Sequence, residues 1–314
     1  MENQFSTPVL LNVFNRPKET RMLLEIIGKV QPKYLYVHCD GPRPGNEKDE
    51  KNVEEVHRVV EELVTWPCEL NKLYEPMNLG CGKGPASSMT WFFSNVEEGI
   101  ILEDDCHPHV DFFQYCQELL EKYRYNEKVG LIGGTTFLND YDKTVSYHFT
   151  PYPEIWGWAT WKRIWDKYEF NYQKSDVDFK RKVLPYVKSH QAIDFWTSIM
   201  HRCIADGDDK TYWDYQLALQ LLYNNVLTIA PNTNMVSNVG FGEDASHTFD
   251  VRSIYANNPI SPILPLSHPD VIEVDYQKVN RPYEVSLGKR IRRKIRKFVG
   301  PQTWKKIASI IHGQ

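Results

Sequence analysis

The 314-residue chain lacks most of the features that assign a protein to a class at sight. It has no apolar run near the ~20 residues that a membrane-spanning helix needs. Its first residues do not form the charged and then apolar pattern of a secretory signal. Its six cysteines include no CxxC pair, and no internal repeat is present. We therefore expect a cytoplasmic globular protein with reduced thiols.

Charge is unevenly distributed between the body of the chain and its C-terminal end. The formal net charge is −4, yet residues 286–314 carry nine lysines and arginines and no acid, which leaves −13 for the rest. An acidic body argues against a protein that coats nucleic acid, so no nucleic-acid partner is expected. Hydrophobic residues at 41% and aromatic residues at 13% are typical of an ordered globular fold.

Apolar strands and amphipathic helices alternate along the first third of the chain. Strands are predicted at residues 8–14, 34–39, 69–74 and 99–105, with intervening helices at 18–30, 47–66 and 86–95. Four such alternations predict an α/β fold with a mostly parallel sheet flanked by helices.

The pattern loosens after Tyr125. Further helices are predicted at 112–125, 156–168, 195–202 and 213–224, and further strands at 129–134 and 226–230. Prolines become frequent from residue 257, which suggests an extended strap. We predict an α/β domain at residues 1–255, a proline-rich strap at 256–285 and a basic amphipathic helical tail at 286–314.

Three successive acids, Glu103, Asp104 and Asp105, end the fourth predicted strand. Clustered carboxylates repel one another, so a buried strand tolerates them only where a cation or several donors offset the charge. Mg²⁺ prefers carboxylate oxygens and is typically held by one or two of them together with substrate phosphates. The triplet therefore predicts a metal–diphosphate site at the carboxyl edge of the sheet. The alternative is that Asp104 or Asp105 caps the helix at 112–125.

Polar residues also follow the other three predicted strands. They are Asn15 and Arg16 after the first strand, Asp40 and Arg43 after the second, and the glycine-rich segment 78–84 after the third. The carboxyl ends of parallel strands meet at one edge of the sheet, which is where a doubly wound sheet binds a nucleotide. Gly80 and the neighbouring glycines would let backbone amides approach an anion, and Lys83 would add positive charge. The segment does not match the GxxxxGK[ST] phosphate loop.

Four motifs resemble those of the GT-A-fold glycosyltransferases, which use nucleotide-sugar donors. They are Asn15-Arg16-Pro17, Asn78-Leu79-Gly80, the block 101–108 with Phe112-Phe113, and the tryptophan-rich segment 156–161. The resemblance covers roughly residues 7–250. It is nearest to bacterial family-2-like enzymes and to N-acetylglucosaminyltransferases whose metal motif is also Glu-Asp-Asp.

The resemblance implies a GT-A-like (Rossmann-like) fold and a metal-dependent, inverting transfer of a hexosyl or N-acetylhexosaminyl group to a glycan or lipid-linked glycan, as in polysaccharide biosynthesis. Asp105 would bind Mn²⁺ or Mg²⁺ on the donor diphosphate, with Glu103 and Asp104 facing the ribose and donor sugar. The other residues expected around the nucleotide sugar are Asn15, Arg16, Asp40, Asn78, Gly80, Lys83 and Trp158.

An inverting transfer also needs a general base, usually a carboxylate beneath the acceptor hydroxyl. Asp214, at the start of a predicted helix, resembles the base of such families, and the alternative is a simple N-cap. The acids at 206–209 form a second candidate, although Gly207 and Lys210 are typical of a solvated turn.

Two further features admit two interpretations each. His247 lies in a polar segment and is either an additional metal ligand, as the resemblance implies, or an ordinary surface histidine. The segment 156–161 is either core packing or a wall over donor and acceptor, and Gly157 between two tryptophans favours the wall.

Two rival functions remain open. A nucleotidyltransferase on a related fold would carry a glycine-rich, arginine-containing loop after its first strand, which Asn15-Arg16-Pro17-Lys18 does not supply. A non-catalytic carbohydrate- or nucleotide-binding protein would bind a nucleotide sugar without turning it over.

The tail has the pattern of a basic amphipathic helix. Ile291, Ile295 and Phe298 fall on one helical face with lysines and arginines on the others, and a second apolar stretch includes Trp304. Such helices lie in the interface of an anionic membrane, here the inner face of the cell membrane, and each basic residue contributes on the order of 1 kcal/mol. The alternative is docking onto the acidic body of the same protein.

Deletion of residues 286–314 is expected to abolish binding to vesicles that contain anionic lipid and to leave nucleotide binding intact. Vesicle co-sedimentation checks the first result and calorimetry the second. Equal vesicle binding by the truncated protein would rule out the membrane interpretation.

Overall fold

The computed structural model describes residues 4–138, 141, 143–206, 212–240 and 257–284. Its strands are β1 (Val9–Val13), β2 (Tyr34–Cys39), β3 (Glu69–Tyr74), β4 (Glu98–Glu103), β5 (Cys106–Pro108), β6 (Val129–Gly133), β7 (Tyr147–Thr150), β8 (Trp158–Trp161), β9 (Leu227–Pro231) and β10 (Val236–Asn238). Its helices are α1 (Pro17–Val30), α2 (Glu47–Leu63), α3 (Gly80–Asn95), α4 (Asp111–Tyr123), α5 (Lys162–Trp165), α6 (Asp176–Val187), α7 (His190–Ala205), α8 (Trp213–Tyr223) and α9 (Tyr276–Val279), followed by a 3₁₀ turn at Arg281–Tyr283.

The central sheet has eight strands in the order β3-β2-β1-β4-β8-β6-β9-β7. The first four are parallel, β8 is inserted antiparallel between β4 and β6, and β7 closes the far edge antiparallel to β9. All five residues of β1 are buried, as are the four central residues of β4, because helices cover both faces. The predicted α/β fold with a mostly parallel sheet flanked by helices is confirmed.

Two predicted elements differ from the structure. Residues 158–161, expected within a helix, form a strand in the middle of the sheet, where flat aromatic and β-branched side chains pack well. The glycine-rich segment is not a loop, because α3 begins at Gly80 and includes Gly82 and Gly84. Gly84 permits close packing: a Cβ there would lie 3.2 Å from Oδ2 of Asp40.

Helices α6, α7 and α8 build a second cluster of buried side chains beside the sheet, and the prediction missed α6. The described segment after residue 257 packs on this cluster only through its later part, from Val274 to Tyr283. Its Asn280 donates to the Val187 carbonyl at 2.8 Å and accepts from the Tyr152 hydroxyl at 2.5 Å. The strap and domain boundaries stay predictions, and the tail lies outside the described residues.

No helix in the described part of the chain is long and apolar enough to cross a bilayer.

The start of β4 leaves no space for a side chain at Gly99. A Cβ at this position would lie 2.3 Å from Cζ of Phe92, a fully buried residue of α3. Gly28, within α1, is a matched control because its Cβ would make only ordinary contact with Trp66 at 3.4 Å.

Gly99→Ala is therefore expected to lower the free energy of unfolding by about 1–3 kcal/mol through overpacking. Gly28→Ala should leave it unchanged or raise it slightly, because alanine favours a helix. Urea denaturation of both variants measures the difference, and equal stability of the two would contradict the packing described here.

Candidate functional site

The three acids lie at a chain reversal between two strands. Glu103 is the last residue of β4, and Asp104 and Asp105 form the turn into β5. The Asp104 amide donates to the Asn12 carbonyl on β1 at 3.1 Å, and the Val239 amide donates to the Asp105 carbonyl at 2.9 Å. The turn is therefore anchored both to the first strand and to the chain beyond β10. The predicted capping role is wrong, because β5 separates the acids from α4, whose N-cap position is Val110.

One guanidinium group holds two of the three carboxylates. Nη1 of Arg16 lies 3.0 Å from Oδ1 of Asp104 and 3.2 Å from Oδ2 of Asp105. Burial raises the pKa of Asp104 to about 7, although Arg16 opposes the shift. Burial also raises the pKa of Glu103 well above its usual range, and the charges of Asp105, Asp104 and Asp214 add to this. These raised pKa values mean that burial and mutual repulsion disfavour the ionised forms of both acids, which a nearby cation would favour instead.

Both oxygens of the Asp105 carboxylate lie against the chain around the end of β10. Asn238 donates to its Oδ1 at 3.4 Å, and Gly240 lies so close that a Cβ there would sit 2.1 Å from Oδ2. Nowhere in the described ranges do three His, Cys, Asp or Glu side chains converge on one point. One or two carboxylates completed by phosphate oxygens are a usual set of Mg²⁺ ligands, so the residues present fit such an ion. His247 lies outside the described residues, so its ligand role stays a prediction.

Asn15 is fixed by an acid that the sequence analysis did not single out. Asp49, fully buried in the first turn of α2, accepts from Asn15 Nδ2 at 2.7 Å and from Arg43 Nη2 at 2.8 Å. Asn52 of the same helix donates to the Asn15 carbonyl at 3.0 Å. Asp49 therefore positions the segments that follow β1 and β2. An acid in the first turn of a helix was the available signal, but its partners were not predictable from sequence.

Asp40 joins the end of β2 to the start of α3. Its Oδ1 accepts from the Gly41 and Leu79 amides at 2.9 and 2.8 Å. Its Oδ2 accepts from Asn78 Nδ2 at 2.9 Å and from the Gly80 amide at 3.2 Å. The Asn78 side chain and the Gly80 segment were predicted to contact a nucleotide. In this structure they donate to Asp40 and so fix the start of α3.

Lys83 is exposed in the second turn of α3. The contacts predicted between the donor and Asp40, Asn78, Gly80 or Lys83 remain predictions.

Asp214 lies in the first turn of α8, whose N-cap position is Tyr212, so the simple N-cap interpretation is wrong. Its charge raises the pKa of Glu103, as noted above, and that of Cys81, for which burial is the larger cause. Asp206 and Glu103 act on Cys81 in the same way. Asp214 and Glu103 are therefore close enough to interact electrostatically, and both act on Cys81 in the first turn of α3.

The position of Asp214 depends on an aromatic stack beneath it. Trp213, the first residue of α8, stacks on Trp158 with ring centroids 6.0 Å apart, and the Tyr168 hydroxyl donates to the Trp213 carbonyl at 3.2 Å. Trp158 is 1% exposed, so in this structure it packs within the core. The wall interpretation applies at most to Trp156, which is partly exposed and packs edge-on against Phe137. A donor contact of Trp158 stays a prediction.

A separate groove of about 640 Å³ lies near the opposite ends of β1 and β4, beside Pro8 and Glu98. Four of its charged residues form two pairs: Arg124 with Glu98 at 2.7 Å and His268 with Glu118 at 3.0 Å. Because it lies at the other ends of β1 and β4, the groove is separate from the acidic turn.

Neither a protein-family model nor a curated protein matches the chain. HddC from Yersinia pseudotuberculosis, complexed with GMP-PN, is 9% identical with a TM-score of 0.31 over 52% of this chain and 80% of its own. The 4-diphosphocytidyl-2C-methyl-D-erythritol synthase from Anaerococcus prevotii is 9% identical with a TM-score of 0.33 over 54% and 80%. Mannose-1-phosphate geranyltransferase from Thermus thermophilus is 11% identical with a TM-score of 0.30 over 71% and 68%. Values this low assign neither a family nor a residue's role.

Asp49→Asn is expected to lower the free energy of unfolding by about 2 kcal/mol at pH 7, because it removes the negative charge beside Arg43 and replaces Oδ2, which accepts from Arg43, with an NH₂ group that cannot accept. The hydrogen bond from Arg43 lowers the pKa of Asp49 to about 2. The contribution of Asp49 is therefore complete above about pH 4, the usual Asp range, and is lost as the pH falls through 2.

Urea denaturation of both proteins between pH 7 and pH 2 checks this dependence. Glu62→Gln, which breaks an exposed pair with Arg21, is the control and should have little effect. A stability difference for Asp49→Asn that does not shrink below pH 4 would contradict the assignment.

Proposed function

We propose that this protein is a metal-dependent glycosyltransferase that moves a sugar from a nucleoside-diphosphate donor to a hydroxyl of a glycan or lipid-linked glycan. The observation that supports the proposal most is that two separate acidic groups lie within electrostatic reach of each other at the end of β4. The Asp104-Asp105 turn is held by Arg16, and Asp214 on α8 acts electrostatically on Glu103. The first group suits a diphosphate with its cation, and the second suits a proton acceptor.

The donor is expected to lie along the carboxyl ends of β1 and β4. Arg16 is the described cation nearest the acidic turn, and its planar guanidinium matches the geometry of phosphate oxygens. Asn15, fixed by Asp49, follows β1 on the same side and would contact the base or ribose. A divalent ion at Asp105, when bound, would supply Lewis-acid stabilisation of the departing diphosphate.

The reaction then consists of one proton transfer and one substitution at the anomeric carbon. Asp214 takes the proton of the acceptor hydroxyl, whose oxygen attacks the anomeric carbon of the donor sugar. The bond from that carbon to the diphosphate oxygen breaks, and its electron pair leaves with the nucleoside diphosphate. Attack opposite to the leaving group inverts the anomeric configuration. The Trp158–Trp213 stack acts as a positioning element, because it fixes the start of α8.

The segment after β1 favours a glycosyltransferase over a nucleotidyltransferase. Only residues 14–16 separate β1 from α1, and none of them is a glycine. Backbone amides in such a short segment have little freedom to wrap a triphosphate. A non-catalytic binding protein is distinguished by the absence of turnover.

Asp214→Asn is expected to keep Mn²⁺-dependent binding of the nucleoside diphosphate and to lose transfer by about 10²–10⁴-fold, since general-base catalysis contributes about that factor. Asp105→Asn should instead lose the Mn²⁺-dependent part of nucleotide binding. Thermal-shift measurements with nucleoside diphosphates, with and without Mn²⁺, report binding, and an acceptor panel reports transfer.

Asp176→Asn is the matched control, because Asp176 also occupies the first turn of a helix, α6. It is exposed and pairs with His201 on α7, not with the acidic turn. It should leave both measurements unchanged. Near-normal transfer by Asp214→Asn with unchanged donor hydrolysis would remove the base assignment. Formation of a nucleotide sugar from a nucleoside triphosphate and a sugar phosphate, without transfer, would favour the nucleotidyltransferase.

A further inference from the structure

A single atom of Arg16 connects the two carboxylates of the acidic turn. Its Nη1 lies 3.0 Å from Asp104 and 3.2 Å from Oδ2 of Asp105, while the side chain is only 19% exposed. Oδ1 of Asp105 already accepts from Asn238 and lies 3.7 Å from the Cys106 thiol. Oδ2, which lies against Gly240, is the Asp105 oxygen that Arg16 contacts, so the guanidinium stands beside any cation that this carboxylate would bind.

An arginine and a divalent cation on the same carboxylate would repel each other, because the two positive groups would lie within a few ångströms of each other. We propose that Arg16 is a resident counter-ion that keeps divalent cations off Asp105 until a nucleoside diphosphate is present. The Arg16 guanidinium then binds the diphosphate oxygens instead of Asp105, and Asp105 becomes available to the cation. This inference rests on the proposed function, and it fixes an order: the cation binds with the nucleotide and not before it.

The local structure is consistent with such an exchange. Arg16 precedes Pro17, the first residue of α1, so its backbone is held while the long side chain reaches the acids. A diphosphate offers oxygens that guanidinium binds in a bidentate manner, which one atom bridging two carboxylates does not achieve. Asp104 is buried and makes the shorter of the two contacts with Nη1 of Arg16.

The test measures Mn²⁺ binding to nucleotide-free protein by electron paramagnetic resonance of the free ion. Wild-type protein should bind Mn²⁺ weakly at this site, and Arg16→Gln should bind it about tenfold more tightly or better, because one nearby positive charge is removed. Arg16→Lys, which keeps the charge, should remain weak. Arg21→Gln, on the same helix but paired with Glu62 at the surface, should match the wild type.

Arg16→Gln binding Mn²⁺ no more tightly than the wild type would overturn the inference. Circular dichroism of each variant verifies folding. Should Arg16→Gln not fold, the Arg16 guanidinium can be followed in the wild type by ¹⁵N NMR, with Arg16→Lys used for assignment. Mg²⁺ alone should leave its signal unchanged, and Mg²⁺ with a nucleoside diphosphate should shift it. A shift with Mg²⁺ alone would contradict the proposed order.

Failure of this inference is distinguishable from failure of the proposed function. If wild-type protein binds a nucleoside diphosphate with Mn²⁺ but Arg16→Gln shows no gain for Mn²⁺ alone, only the role of Arg16 is wrong. If wild-type protein binds no nucleoside diphosphate under any condition, the function itself is wrong.

Discussion

Electrostatic repulsion among Glu103, Asp104 and Asp105 is the constraint on which the rest of the structure depends. A parallel strand buried on both faces normally ends in groups that a polar partner satisfies. Here the strand ends in three acids, and Arg16 contacts two of them. The raised pKa of Asp104 and of Glu103 shows that burial outweighs this compensation. A bound cation would offset the repulsion and favour the ionised carboxylates.

The fold brings distant parts of the chain to this point. Strand β10 pairs with β5 and so places Asn238 and Gly240 against Asp105. The Trp158–Trp213 stack sets the first turn of α8, with Asp214, opposite the end of β4. The first half of the chain therefore supplies the acidic turn and its arginine, while the second half supplies the groups around them.

The first half of the fold was predictable because its signals are local. Continuous apolar runs and helical spacing gave β2 and β3 at their observed bounds and α1 within one residue. Strand β8 was not predictable, since Trp158–Trp161 becomes a strand only through pairing with β4 and β6. The glycines at 80–84 were interpreted as an anion-binding loop, whereas the structure places them in α3, where Gly84 lets the helix pack closely on Asp40.

The candidate site shows the same division. The acids, Arg16 and Asp214 stand out in the sequence by residue type and position. Asp49, Asn238 and Gly240 do not stand out, because their importance arises from contacts with residues that are distant in the sequence. Asp49 contacts Asn15, which is 34 positions away, and Asn238 and Gly240 both contact Asp105, which is more than 130 positions away. The tail and His247 lie outside the described residues, so the membrane and ligand hypotheses rest on sequence alone.

The most direct test of the central claim is a crystal structure of the protein with Mn²⁺ and a nucleoside diphosphate, with anomalous scattering recorded for manganese. The account predicts a manganese peak about 2.0–2.3 Å from an Asp105 oxygen, with the diphosphate completing its ligands and Arg16 turned toward the phosphates. A nucleotide bound elsewhere, or an Asp105 that stays paired with Arg16 and touches no ion, would contradict it.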